Sequence, residues 1–440
     1  MSVESSTAAA AAVAGELATW SGARRRAALH AAADALAGAA GPIIEAAGAE
    51  TGLTRQRLEG EMARTTGQLR LLGDFVAEDR DRPVVRSAGA APGGGDIVAV
   101  RVPIGPVAVF AASNFPLAFG VLGGDTAAAL AAGCPVVAKA HPAQPETARL
   151  VAEAVGPALG AAFAVVHGGA DVSLALVRAP QIRAVGFTGS AAGGRALMDA
   201  AAARPDPIPV YAEMGALNPV FVFPSALDDE RWPATLAAAV TGSAGQLCTK
   251  PGLVVVPDTE AGAAFADRLA AEVAATPAFA RMLTPAMAAA HAAWRDRAPA
   301  SEGAPEAPDG GAAPFAVRVA GADLDGELLE EHFGPAVVIA QSDVDGYGGL
   351  AGRLEGSLTA TVLAGERDDD AVRALLPALV DRAGRVIYNG VPTGVAVVDA
   401  MQHGGPWPAA SGAFTSVGTA AVERFLRTVA LQGLPERLTP

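Results

Sequence analysis

Cys248 is the residue in this chain best suited to nucleophilic chemistry. It lies in Gly242-Ser-Ala-Gly-Gln-Leu-Cys-Thr, after a helical run and before an apolar strand, where glycines let the backbone come close to a ligand. A thiolate in such a semi-polar turn attacks electrophilic carbon. The bland alternative is a buried structural cysteine, and Cys134, between Gly133 and an apolar run, fits that description. Glu213 ends the apolar run Val210-Tyr-Ala-Glu and is followed by Met214-Gly215. A partly desolvated carboxylate there can serve as a general base, although taken alone a solvated strand-end charge is the simpler account. Asn114, in Ala111-Ala-Ser-Asn-Phe-Pro, is placed to donate its amide to an oxyanion or merely to shape a turn. Nucleophile, base and oxyanion donor together are the parts of a covalent acyl-forming reaction.

The elements that must position these groups follow a clear grammar. Residues 7–80 read as helical, with periodic segments over Arg24–Ala47 and Gly60–Phe75. Strand-like runs at Ile97–Val102, Val107–Ala111, Val136–Lys139, Phe163–Val166, Ile182–Phe187 and Val210–Glu213 then alternate with helical ones at Asp125–Ala132, Thr147–Leu159 and Ala191–Ala203. That alternation predicts right-handed βαβ units in a doubly wound parallel sheet, which binds ligands at the carboxyl ends of its strands. A second lobe follows, with a helix at Trp232–Val240, a strand at Gly252–Val256, a helix at Ala261–Ala275, and strands at Ala336–Ala340 and Val386–Tyr388. Pro299–Pro314 reads as a surface loop, and Thr428–Pro440 as an edge strand able to pair with another subunit.

The chain has 440 residues, more than a single core of ~250–300 residues can serve. The expected fold is α/β, with two doubly wound parallel-sheet lobes and a small oligomerisation element. The expected division is 1–213 for one domain, to which part of 396–413 returns, 214–395 for the other, and 80–102 with 414–440 as oligomerisation strands. Net charge is −14, and the short Arg24-Arg25-Arg26 run reads as a solvated helix face, which argues against a nucleic-acid partner. Val102–Gly124 is uncharged and long enough to span a bilayer, but its prolines, glycines, Ser113 and Asn114 make it a strand, a turn and a helix start; no membrane partner is expected. Two cysteines and an N-terminus without a basic leader lead to the expectation of a reducing, cytoplasmic setting. The six histidines show no ligand spacing, so no metal is expected.

Seven segments in order carry a resemblance: Pro103-Ile-Gly-Pro, Ser113-Asn-Phe-Pro, Gly133-Cys-Pro-Val-Val-Ala-Lys, Gly186-Phe-Thr-Gly-Ser, Glu213-Met-Gly-Ala-Leu-Asn-Pro, Gly245-Gln-Leu-Cys and Glu330-Glu-His-Phe-Gly-Pro. Over nearly its whole length the chain resembles the aldehyde dehydrogenase superfamily. The resemblance implies that Cys248 forms a thiohemiacetal and then a thioester. It implies that Asn114 and the Cys248 amide hold the oxyanion, and that Glu213 activates the hydrolytic water. It further implies that Lys139, His141, Gly189, Ser190, Gly215, Glu331 and Phe333 bind a nicotinamide dinucleotide. The family lacks the GxGxxG fingerprint, and so does this chain.

Lys139-Ala-His-Pro, Asn389-Gly-Val-Pro-Thr-Gly-Val and Met401-Gln-His-Gly-Gly-Pro-Trp-Pro-Ala narrow the likeness. They are similar to the branch of 2-oxoglutarate semialdehyde dehydrogenases and NADP-dependent fatty aldehyde dehydrogenases, in which the histidine matching His403 lies near the catalytic centre. Either it tunes proton transfer there or it shapes the Gly404-Gly405-Pro406 turn. Pro142 stands where NAD-preferring members carry a ribose-binding glutamate, which tilts the choice between NAD and NADP slightly to NADP. Gly168-Gly-Ala-Asp171 offers no arginine for a 2′-phosphate and pulls the other way. Relative to typical members the chain is short within Asp79–Ile97 and Thr276–Ala322, which leaves homodimer and homotetramer both open. The leading expectation is oxidation of 2-oxoglutarate semialdehyde. The alternatives are an aliphatic aldehyde dehydrogenase, a CoA-acylating enzyme (disfavoured because Glu213 is present) and a catalytically silent scaffold.

Overall fold

A computed structural model of the chain describes residues 2–92, 94–299, 301–303 and 306–438. Parts of the expected 299–314 loop and the end of the 428–440 strand lie outside these. The described chain divides into two compact units: Met1–Ala212 with Val397–Met401 and Phe414–Pro440, and Glu213–Ala396 with Gln402–Ala413. Of the 396–413 stretch, therefore, only 397–401 lies with the first unit.

In the first unit, Phe163–Val166, Val136–Lys139, Val107–Phe110, Ala184–Thr188 and Val210–Glu213 form a sheet in that spatial order. Strand Val107–Phe110 pairs in parallel with both of its neighbours, and Val136–Lys139 with Phe163–Val166. Alternate side chains supply two cores. Val107, Val109, Val136, Ala138, Phe163 and Val165 face one helical layer, and Ala108, Phe110, Val137, Val166 and Val185 pack with Leu176, Val177 and Leu197 on the other face. Helix Gly124–Ala132 is buried at every position. Its alanines let it lie close against the sheet without overfilling the layer.

Two readings of the helical N-terminal region need correction. The Arg24–Ala47 period is broken into Gly22–Gly38 and Ala40–Thr51, which meet at a bend of 70°. Pro42 has no N–H to return to Gly38, so one helix cannot run through. Arg25 is not on a solvated face: it is 2% exposed, ion-paired to Asp81 at 2.5 Å, and its Nη1 also donates to Ala131 O. Arg24 and Arg26 do face solvent, with Glu16 and Asp74. No single helix among the described residues is long and apolar enough to cross a membrane.

Antiparallel strands Val85–Ser87, Ile97–Pro103 and Leu426–Gln432 make a small sheet in which, among the described residues, the last strand has an unpaired edge.

The second unit holds a seven-stranded sheet in the order Ser301–Gly303, Phe315–Ala320, Ala336–Ser342, Leu253–Pro257, Val220–Val222, Ser357–Leu363, Ala383–Tyr388. Ser301–Gly303 is antiparallel, and the other pairings are parallel. A strand thus interrupts the expected 299–314 loop. Leu253 and Val255 enter one core and Val254 and Val256 the opposite one, as the pleat requires of a strand covered on both faces.

Candidate active site

In the first unit the sheet order reverses between Val107–Phe110 and Ala184–Thr188, and the expected ligand-binding residues follow the carboxyl ends of these strands and of their neighbour. Lys139 ends its strand and is 7% exposed. Burial lowers its proton affinity, opposed by the nearby Asp171 carboxylate, and among the described residues its ammonium has no hydrogen-bond acceptor. A buried cation without an acceptor suits ribose hydroxyls. Ser190 caps helix Ala191–Ala202, its Oγ accepting from Gly193 N at 3.2 Å, and with Gly189 it is exposed at a helix start that favours an anion. Asn114 is buried in the loop after Phe110, and Arg57 donates to its carbonyl at 2.9 Å.

His141 accepts from Ala143 N through Nδ1. Burial, and then the Lys139 charge, depress it to about 4 from the usual 6.5. Between these values the unfolded chain takes up a proton that the folded chain refuses, so stability is present above pH 6.5 and is lost as pH falls towards 4. A ceiling of about 3 kcal/mol follows from that interval. The thermal midpoint of wild-type protein should therefore fall more steeply between pH 7 and 4.5 than that of His141→Gln; parallel slopes would remove this assignment.

The second unit gathers Glu213, Cys248 and His403. Glu213 bridges to Ala410, and Met214 N donates to Ala409 O at 2.8 Å, so the strand end is stitched to the segment after His403. Cys248 lies before strand Leu253–Pro257, at the amino edge of the sheet and not at a carboxyl end. Its loop is tightly wound: Ser243 and Ala244 have φ of 55° and 54°, and Gly245 has φ 66°. A Cβ on Gly245 would overlap the Gly334-Pro335 backbone, so only glycine lets this loop pack there. His403 Nε2 is 3.0 Å from Glu213 Oε1 and 3.8 Å from Cys248 Sγ. Glu213 and His403 are 4% and 1% exposed, while Cys248 is half-buried. One imidazole nitrogen therefore faces both carboxylate and thiol. The three ligand atoms lie within 4.8 Å of one another, a grouping that would also admit a metal ion and that sequence spacing did not disclose. Cys134, in contrast, is fully buried, and burial pushes its thiol up to about 11.

Asn218 fixes the nucleophile loop and was not singled out from sequence. Its Nδ2 donates to Cys248 O at 2.8 Å, Lys250 O at 3.1 Å and Ala216 O at 3.2 Å; its Oδ1 accepts from Thr359 N and Oγ1, both at 3.1 Å. The available signal was its place in the Glu213–Pro219 motif. Lys250 was also missed. It is buried, donates to Ala336 O at 2.8 Å, and is pushed down by burial while Glu331 is pushed up by burial, each partly opposing the other's shift. A Cβ on Gly215 would overlap the Glu331 carboxylate, and Ala216 N donates to that carboxylate. Gly215 and Glu331 thus meet, and half-buried Phe333 follows directly.

The profile of the aldehyde dehydrogenase family matches residues 1–292. The chain belongs to the aldehyde dehydrogenase family. It is an oxidoreductase that acts on aldehydes, and the family's hydride acceptor is NAD or NADP. The chain is 44% identical to "Alpha-ketoglutaric semialdehyde dehydrogenase 2" of Azospirillum brasilense, over 95% of this chain and 84% of the relative. It is 41% identical to "Alpha-ketoglutaric semialdehyde dehydrogenase" of Acinetobacter baylyi, over 90% of this chain and 80% of the relative. Among solved structures, a glyceraldehyde-3-phosphate dehydrogenase of Methanocaldococcus jannaschii, complexed with NADP, superposes with a TM-score of 0.82. That match covers 98% of this chain and 93% of the other at 18% identity, a likeness of fold alone.

Proposed function

We propose that this aldehyde dehydrogenase converts 2-oxoglutarate semialdehyde to 2-oxoglutarate through a thioester on Cys248. The observation that carries the chemistry is the single His403 nitrogen shared between Glu213 and Cys248. The names of the two relatives support the substrate.

Cys248 attacks the aldehyde carbon, and the resulting oxyanion takes a hydrogen bond from the Cys248 amide; Asn114 is the further donor that the resemblance implies. The bound nicotinamide supplies the acceptor for the hydride. Glu213 then takes a proton from the water that attacks the thioester, and His403, touching both groups, orients the carboxylate and passes protons at the thiol. Lys139 with His141, and Gly189 with Ser190, would hold the adenosine and phosphate portions, and Gly215, Glu331 and Phe333 would hold the nicotinamide end, as the resemblance implies. Pro142 in place of a carboxylate favours NADP over NAD, although Asp171 beside Lys139 works against a 2′-phosphate. We further infer a cytoplasmic homodimer or homotetramer that assembles through the free edge of Leu426–Gln432.

Initial rates of cofactor reduction, crossing 2-oxoglutarate semialdehyde and hexanal with NAD and NADP, test this reading. A clear kcat/KM advantage for the semialdehyde, with NADP the better acceptor, is expected. Preference for hexanal would replace the substrate by an aliphatic aldehyde, and a preference for NAD would show that Asp171 outweighs Pro142.

A further inference from the structure

A semialdehyde that ends in a 2-oxo acid needs a cation to greet its carboxylate, and no motif in the sequence advertises one. Resting on the substrate reading above, we propose that Arg385 is the substrate-binding residue that recognises the 2-oxo acid end and sets the preference for it over uncharged aldehydes.

Arg385 lies near the start of strand Ala383–Tyr388, at the same amino edge of the sheet as the Cys248 loop. It pairs in register with Thr359, whose N and Oγ1 donate to Asn218 Oδ1; the amide of the same Asn218 holds Cys248 O. On its other side, Gly384 packs so tightly that a Cβ would overlap Gly404 O, in the residue after His403. The backbone of Arg385 is thus tied to both segments that carry the reacting groups.

Its side chain is oriented but not neutralised. Nη1 donates to Gly394 O at 3.0 Å and Nη2 to Pro392 O at 2.6 Å, two neutral acceptors in the loop after the strand. Nε is buried and has no hydrogen-bond partner. Among the described residues no carboxylate pairs with Arg385, whereas buried Arg25 has Asp81 and buried Arg424 has Asp125. Partial burial disfavours its charge, and Cys248 opposes that effect. A half-buried cation held by neutral carbonyls and without a counter-charge is available to an anion that arrives with the ligand.

The substrate has the matching shape. With the aldehyde carbon on Cys248 Sγ, four carbon–carbon bonds carry the chain about 5 Å outward to the carboxylate. A 2-oxo acid presents its oxo and carboxylate oxygens on one side, which suits a planar guanidinium fork. Two loop carbonyls hold that fork in advance, so little rotamer freedom is lost when substrate binds.

The test measures kcat/KM for 2-oxoglutarate semialdehyde and for hexanal in wild-type enzyme, Arg385→Met and Arg385→Lys, with saturating cofactor. Wild-type enzyme should prefer the semialdehyde. In Arg385→Met the ratio of the two specificity constants should fall by about 100-fold, mainly through KM for the semialdehyde, and Arg385→Lys should recover part of it. Hexanal oxidation reports whether each variant is folded, and should Arg385→Met fail to fold, the partial loss expected in Arg385→Lys carries the test. A ratio within about threefold of wild type in both variants, or equal loss on both aldehydes, would overturn the assignment. Equal loss would mark Arg385 as a brace for the 392–394 loop. Wild-type enzyme with no preference for the semialdehyde would instead overturn the substrate reading itself, and with it the need for this cation.

Discussion

Cys248→Ala should lower turnover by about 10⁴-fold or more while the protein keeps its fold and its affinity for cofactor. The loss should be this large because in the proposed route the thiol sulfur bonds to the substrate carbon, and no neighbouring group can stand in for it. Cys134 is fully buried, with its thiol pushed up to about 11, and Glu213 and His403 carry no comparable nucleophile. The fold should survive because what positions the loop is the backbone. Asn218 bonds the carbonyl of residue 248, not its sulfur, and the Gly245 contact with Gly334-Pro335 involves no side chain. The apolar residues packed around Cys248 form a small cluster, Ala216, Leu358 and Ala409, so removing one sulfur leaves a small deficit of roughly 1 kcal/mol. Steady-state rates, the thermal midpoint and a cofactor titration check the three parts separately. Turnover retained in Cys248→Ala would sink the covalent route. Lost cofactor binding would mean that the thiol supports the cofactor site as well.

The parts of this picture that the sequence discloses are those written in local pattern. Strand–helix alternation announces the parallel sheets, because each strand buried on both faces is a short apolar run and each helix carries its own period. Strand Ser357–Leu363 escaped that reading: its Ser-Leu-Thr-Ala-Thr-Val-Leu sequence mixes threonine with apolar residues, yet all seven positions are buried. Thr359 enters the interior because Asn218 is there to receive it, which is a tertiary fact. Arg25 was misread for the same reason: only the fold supplies Asp81, 56 residues away, to receive it. The motifs named Glu213 and Cys248, but their meeting at His403, 155 residues beyond Cys248, is a property of the folded sheet edge. Arg385 carries no local signal at all. Its interest lies in what it lacks, a carboxylate partner, and no spacing rule can show that.

Glu213→Gln should separate the two halves of the reaction. The glutamine is nearly isosteric, and its amide can keep a contact with His403 Nε2 across the 3.0 Å that Glu213 Oε1 now spans, so the site should retain its shape. What is lost is the capacity to take a proton from water. If that is the role of Glu213, attack by Cys248 and hydride departure proceed, and one equivalent of reduced cofactor appears per site in a rapid burst. Steady-state turnover then falls by about 10²–10⁴-fold, the usual worth of a positioned general base. Intact-mass measurement after the burst should find the acyl group on Cys248. Two other outcomes carry distinct meanings, since His403 Nε2 also lies 3.8 Å from Cys248 Sγ. Absence of the burst would place Glu213 before hydride transfer, drawing the thiol proton through the imidazole. A burst followed by near-normal turnover would transfer the water-activating role to His403, in which case His403→Ala, and not Glu213→Gln, would be the variant that accumulates the thioester.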